Sequence, residues 1–292
     1  MIRLFMELTK FRLSAAVTLS SVFAFVLAGG GDATVLGLST LAVLLLALGV
    51  SALNQYQEHE SDSRMARTKR RPIPSGRIAP AAALAVSGTL IAVATLLVYR
   101  ELGNTGLLLF LFVPLWYNGV YTPLKRFSAF AVVPGGLLGM IPPAIGWLAA
   151  GQSLAEPEFL ALGLLFFVWQ VPHFWLLAAK HHDDYRAAGF PTAVESFGPA
   201  GFRRVLFVWW MMTVFCGIFA AVIFGVQHLA VWLLLSVLAA AATLSGAQML
   251  FQRLTPDRAG ALFRGINLFL LGTVTLLSVD ALLNVKGLLF NL

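Results

Sequence analysis

Three oxygen-bearing side chains, Asn54, Glu58 and Asp62, recur every four residues in the polar stretch that ends at Met65. At about 100° per residue, a helix keeps all three within roughly an 80° stripe. Carboxylates so placed suit Mg²⁺, which takes oxygen ligands and is commonly shared between a few carboxylates and a substrate phosphate. Arg67, Lys69, Arg70 and Arg71 follow directly, and the Pro72-Ile73-Pro74-Ser75-Gly76 turn brings their charge back over the acids. Acid, base and metal together are what a diphosphate leaving group needs: the metal neutralises oxygens and arginine forks clamp the rest. A basic loop after a fraying helix end would explain the cations alone, but it does not explain an ordered stripe of three acceptors.

A second cluster runs from Trp169-Gln170-Val171-Pro172-His173-Phe174-Trp175 to His181-His182-Asp183-Asp184-Tyr185. His173 and Asp184 are eleven residues apart, about 20° from a whole number of turns, and so share a helix face about 16 Å apart. That puts His173 deep and Asp184 at the mouth. A histidine there can bind a metal such as heme iron, handle a proton, or satisfy a helix interrupted at Pro172. Asp184, beside Asp183 and near Lys180, can be a second metal arm or a salt-bridged helix end. Between the clusters, Lys125 and Arg126 offer a grip for a diphosphate, and Tyr121 offers a π face or hydroxyl to a developing carbocation. An interfacial anchor of a membrane segment would use the same three residues.

The elements that position these groups follow from composition. Of 292 residues, 59% are apolar and only 11% charged, with a mean hydropathy of +0.84. So few charges cannot cover a water-soluble chain of this size, and a single cysteine, Cys216, excludes a disulfide scaffold. A bilayer core of about 30 Å needs roughly 20 apolar residues per helix. That ruler gives nine spans, near Leu13–Gly30, Val35–Asn54, Ala79–Tyr99, Asn104–Tyr121, Phe130–Ala150, Phe159–Ala179, Val205–Gly225, Leu229–Gln248 and Ile266–Leu283.

Eighteen of the twenty basic residues then fall on one side, with Arg100 and Lys286 on the other. The positive-inside rule makes the first side cytoplasmic, with the N-terminus inside and the C-terminus outside. The formal charge of +7 is thus topology and headgroup contact and calls for no nucleic acid. The expected architecture is an all-α polytopic membrane protein, one domain over residues 1–292, with nine helices around a central cavity. Span five, broken by Pro134-Gly135-Gly136, Gly139, Pro142-Pro143 and Gly146, leaves room for close helix approach or a bulky ligand. A transporter would show repeated, paired broken helices, and none is evident. A non-catalytic membrane scaffold would tolerate loss of Glu58 and Asp62.

Taken in order, the motifs resemble the heme O synthase branch of the UbiA-type intramembrane prenyltransferases. The string Asn54-x₃-Glu58-x-Glu60-x-Asp62-x₂-Met65-x-Arg67-Thr68-x₂-Arg71-Pro72 is similar to that family's aspartate-rich motif. Tyr121-Thr122-x-Leu124-Lys125-Arg126 with Pro142, Pro143, Gly146 and Trp147 resembles its middle motif. Trp169-Gln170-x-Pro172-His173-Phe174 with Asp184-Tyr185-x₂-Ala188-Gly189-x-Pro191 resembles its third, and Leu8-Thr9-Lys10-Phe11-Arg12-Leu13 its start. The chain departs from the family's pattern in three places. Glu58 and Glu60 replace aspartates, Thr192-Ala193-Val194-Glu195 replaces Met-Leu-Pro, and Asp184 stands alone where quinone-type relatives carry a pair.

The resemblance implies a nine-helix fold and Mg²⁺ held by Asn54, Glu58 and Asp62, with Asp184 opposite. It implies binding of farnesyl diphosphate, neutralised further by Arg67, Arg71, Lys125 and Arg126. Ionisation in an apolar cavity would leave an allylic cation near Tyr121, attacked by a vinyl group of heme B held near His173. Addition of water would then give hydroxyethylfarnesyl heme for terminal oxidases. The alternative acceptor is a quinone-type aromatic. The expected setting is a bacterial plasma (inner) membrane, since no Arg/Ser-rich transit segment precedes the first span. Heme A synthase or oxidase assembly factors are the expected protein contacts.

Overall fold

The computed structural model describes the backbone of residues 1–290 and the side chains of residues 1–284, and every regular element among them is helical. Lys286, one of the two outer-side cations of the sequence reading, lies outside the described side chains. The chain starts with α1 (Ile2–Leu8), which bends by 64° into α2 (Phe11–Leu27). The bend falls on Lys10, the one non-glycine with positive φ (49°) among the described residues. It is held by Gln55, fully buried on the next helix, whose Nε2 donates to the carbonyls of Glu7 (2.7 Å) and Leu8 (2.8 Å).

Asp32 caps α3 (Ala33–Arg64) by accepting from the Thr34 and Val35 amides. At 1.5 Å per residue α3 reaches about 48 Å, beyond a bilayer core of about 30 Å. Its last turns, from Asn54 to Arg64, therefore remain helical past the apolar run, which is what the four-residue stripe requires.

Next comes α4 (Pro80–Pro114), which packs along α3: a Cβ at Gly49 would meet Ile91 at 2.8 Å, and Ser87 Oγ donates to the Gly49 carbonyl at 2.8 Å. Inside α4, Gly103 (φ 57°, ψ −144°) breaks the helical geometry. After Pro114 the backbone widens into a π-helical turn, Leu115–Tyr121, followed by a short turn, α5 (Thr122–Leu124). The stretch with three prolines folds as α6 (Val132–Gly135) and α7 (Leu137–Ala149). Then follow α8 (Pro157–Lys180), unbroken through Pro172, and the short α9 (His182–Ala187). The chain ends with α10 (Ala193–Ile223), broken at Gly198 (φ 69°, ψ 163°), α11 (Leu229–Phe251) and α12 (Pro256–Phe290).

The helices close into a ring: α12 packs against both α8 and α2, and α2 against α3 and α7. Small residues permit the close approaches, most tightly at Gly146, where a Cβ would stand 1.9 Å from the Ser21 carbonyl oxygen. The burial pattern inverts that of a water-soluble bundle. Phe215, Val237 and Leu244 are 67%, 67% and 68% exposed, while Ser14, Thr213 and Thr273 are buried between helices.

Among the described residues seven helices are long and apolar enough to cross a membrane, and the bent α1–α2 pair makes an eighth. The fold is therefore that of an all-α multi-pass membrane protein. The count falls short of the expected nine because residues 80–124 count as one continuous 45-residue helical stretch. Two further boundaries differ from the sequence expectation. Both α10 and α12 begin well before the apolar runs, with polar first turns that lie at the same end of the bundle as the α3 stripe.

Candidate active site

The stripe is intact. Asn54, Glu58 and Asp62 are 1%, 5% and 2% exposed on one face of α3, whereas Glu60 points off the stripe and is exposed. Each stripe residue has a cationic partner from a different part of the chain. Lys10 Nζ donates to Asn54 Oδ1 at 2.6 Å, Lys125 forms an ion pair with Glu58, and Arg71 NH1 meets Asp62 Oδ2 at 2.6 Å. The turn after α5 thus delivers Lys125, the basic loop delivers Arg71, and the α1–α2 bend delivers Lys10. Thr122 Oγ1 accepts from Asn54 Nδ2 at 3.3 Å, and Asn118 Nδ2 donates to Gln57 Oε1 at 2.9 Å, fixing α3 against the π-helical turn.

Not every residue singled out from the sequence joins this cluster. Arg126 donates to the Gln57 carbonyl at 2.8 Å, on the flank of the stripe. Arg67 is exposed on the loop and faces His181. Burial, then Arg67, then Lys180 hold that imidazole below its ordinary value. Asp184 comes to the end of α3, where its Oδ1 accepts from the Ala66 amide at 2.9 Å. Among the described residues no three His, Cys, Asp or Glu side chains gather at metal-binding range.

The donor chemistry nonetheless fits Mg²⁺: an amide oxygen and two carboxylates, all buried, with a third carboxylate, Asp184 of α9, brought against the loop that follows α3. Glu58 and Asp62 are each already paired with a cation, Lys125 and Arg71, and Lys10 stands beside them on Asn54. A divalent cation is therefore favoured there only together with an anionic group that it bridges, which matches a diphosphate.

Inward of the cations stands an aromatic wall. Tyr121, last residue of the π-helical turn, stacks on Tyr117 (5.8 Å, 14°) and leans on Phe174 of α8 (6.3 Å), with Lys125 Nζ 5.8 Å from its ring centre. Gly135 leaves it room, since a Cβ there would meet the Tyr121 ring at 2.8 Å. Next to Phe174, the His173 ring lies 4.5 Å from Trp169 and 4.7 Å from Phe263 of α12. His173 Nδ1 is 2.8 Å from Asn267 Oδ1. An amide oxygen only accepts, so Nδ1 carries the proton and Nε2 keeps its lone pair.

Lys10, Thr122, Asn118 and Asn267 were not among the sequence-derived site residues. Lys10 stood in a recognised motif but was assigned to topology alone. Asn267, by contrast, had one available signal, a lone amide inside an apolar span.

A ring of helices around paired acids and bases beneath an aromatic wall is the arrangement of an intramembrane prenyl-diphosphate enzyme. Residues 15–272 match the UbiA prenyltransferase family, and the chain belongs to that family. It is 39% identical over 210 residues to the protoheme IX farnesyltransferase of Oleidesulfovibrio alaskensis, covering 72% of this chain and 74% of the relative. The fold is also that of an Aeropyrum pernix UbiA homologue (TM-score 0.72, 19% identity, 92% of this chain and 98% of the other). An Archaeoglobus fulgidus UbiA homologue solved with GPP and Mg²⁺ shares it too (TM-score 0.65, 14% identity, 94% and 99%).

Proposed function

We propose that this prenyltransferase moves a farnesyl group from farnesyl diphosphate to a vinyl group of heme B, giving hydroxyethylfarnesyl heme. The observation that carries the reading is the set of three buried acceptors on α3, each facing its own cation, directly beneath the Tyr121–Phe174 wall. Support for the acceptor comes from the protoheme IX farnesyltransferase relatives.

In this reading Asn54, Glu58, Asp62 and Asp184 hold Mg²⁺, which would neutralise diphosphate oxygens. Lys125 and Arg71 release their acid partners, Lys10 releases the Asn54 amide, and all three turn to the diphosphate, joined by Arg67 and Arg126 from the rim. As the C1–O bond breaks, the electron pair leaves with the diphosphate. The allylic cation faces the rings of Tyr121 and Phe174, which stabilise positive charge without competing as nucleophiles. The vinyl group then bonds to C1, and water adds to the resulting carbocation and loses a proton. His173, with Nε2 free, faces the porphyrin.

The same reading takes residues 1–292 as one domain and α4 as two passes turning at Gly103. A straight helix over the 45 residues Pro80–Leu124 would reach about 68 Å, twice a bilayer core, and Arg100 and Glu101 sit at the turn. That gives nine spans, N-terminus cytoplasmic and C-terminus outside, in a bacterial inner membrane, with heme A synthase or oxidase assembly factors as neighbours. The test is acceptor-dependent release of diphosphate from farnesyl diphosphate by the purified protein. Release should rise with heme B and stay at background with quinone-type aromatics; the reverse order would overturn the reading.

A further inference from the structure

A cavity of about 740 Å³ opens at the same end of the bundle as the α3 stripe, between the end of α8, the start of α10 and the start of α12. Lys180, Arg203 and Arg253 line it. None of these three is in an ion pair among the described residues. Arg203 Nε and His182 Nδ1 are buried there without a hydrogen-bond partner among the described residues, a costly state that a bound acceptor group would relieve. Pro199 and Pro256, which start the long part of α10 and all of α12, also line the cavity, so two helix N-termini add partial positive charge. Of the two carboxylates in the lining, Asp183 is exposed and Asp184 is tied to the Ala66 amide. The cavity is built for anionic oxygens.

What those oxygens belong to follows from the wall that α8 and α12 share. Lys180 lies seven residues beyond His173, hence on the same face of α8 and about 10 Å along it. On α12, Pro256, Gly260, Phe263 and Asn267 form the matching face. Pro256 lines the cavity, a Cβ at Gly260 would lie 3.4 Å from the Lys180 stem, Phe263 packs on His173, and Asn267 bonds it. One wall thus runs from the cavity to the free Nε2 of His173, and Phe174 continues it to Tyr121.

A porphyrin such as heme B carries its two carboxylates on one edge, its metal at the centre and its vinyl groups on the opposite side. We propose that the cavity anchors the acceptor by those carboxylates, through Arg203, Arg253 and Lys180, so that the metal faces His173 and a vinyl group reaches the Tyr121–Phe174 wall. This rests on the heme reading above and adds how the acceptor is oriented.

The experiment compares heme B with its dimethyl ester, in which both carboxylates are masked, by absorbance titration of the purified protein. The wild type should bind the ester about tenfold or more weakly, the loss of one or two charge-assisted hydrogen bonds. An Arg203→Gln/Arg253→Gln protein should bind heme B about tenfold more weakly and no longer distinguish acid from ester. Retained binding of Mg²⁺-farnesyl diphosphate would show that this variant is folded. Equal wild-type affinity for acid and ester would overturn the proposal. So would a variant that keeps the acid preference but loses co-purifying anionic phospholipid, which would assign the cavity to a lipid headgroup. Failure of the heme reading shows separately, as absence of farnesylated product from either acceptor.

Discussion

Lys10 Nζ lies 2.6 Å from Asn54 Oδ1, although 44 positions separate the two residues. The contact depends on the left-handed backbone at Lys10 and on the Gln55 clamp that holds α1 against α3. In the proposed reading Lys10 is therefore part of the diphosphate site. Lys10→Met should lower kcat/KM for farnesyl diphosphate about 10- to 100-fold, the worth of one or two charged hydrogen bonds. Lys10→Arg should recover part of that. Steady-state kinetics with both variants decides, and wild-type rates for Lys10→Met would remove Lys10 from the site.

The Arg71–Asp62 contact at 2.6 Å separates stability from catalysis. Asp62→Asn should lower stability by about 2 kcal/mol, because it leaves the Arg71 guanidinium without its counter-charge. Adding Arg71→Gln should restore most of the thermal midpoint while leaving turnover near zero. A double variant that regains activity along with stability would make the pair structural.

His173 owes its tautomer to Asn267. Asn267→Leu should free the ring and raise the Kd for heme about 10- to 100-fold, with a shifted Soret band. Asn267→Asp keeps an acceptor for Nδ1–H and should retain heme binding, with the more basic imidazole shifting the band in its own way. Identical spectra for all three proteins would show that the bond does not orient the histidine toward the porphyrin.

Two glycines separate packing from chemistry. At Gly146 an added Cβ would meet backbone, the Ser21 carbonyl oxygen, at 1.9 Å, so Gly146→Ala should cost about 3 kcal/mol and melt early. At Gly135 the obstacle is the Tyr121 ring at 2.8 Å, which can swing away. Gly135→Ala should fold with a thermal midpoint near wild type and yet turn over about tenfold more slowly, the cost of about 1.4 kcal/mol in the barrier. Thermal melts and rates measured on both variants test the contrast.

What could be seen in the sequence was whatever local periodicity encodes. The stripe at Asn54, Glu58 and Asp62 stood out because one uninterrupted helix carries it. Lys10 and Asn267 did not, since their roles arise from a backbone bend and from packing across 94 residues. The Thr192–Glu195 segment registered only as a departure from the family pattern. In the structure it is a capping box, Thr192 Oγ1 accepting from the Glu195 amide while the Glu195 carboxylate reaches back, and it starts α10. Hydropathy marked two spans between Ala79 and Tyr121, whereas the structure runs them together through Gly103. A glycine with positive φ looks like any other small residue in an apolar run.

The most direct test of the account is a reaction of the purified protein with heme B, farnesyl diphosphate and Mg²⁺, with the extracted hemes weighed by mass spectrometry. The account predicts a heme heavier by one farnesyl group plus water, formed by the wild type and absent with Asp62→Asn/Arg71→Gln. Unchanged heme from a wild-type protein that binds Mg²⁺-farnesyl diphosphate and prenylates a quinone-type acceptor would contradict it.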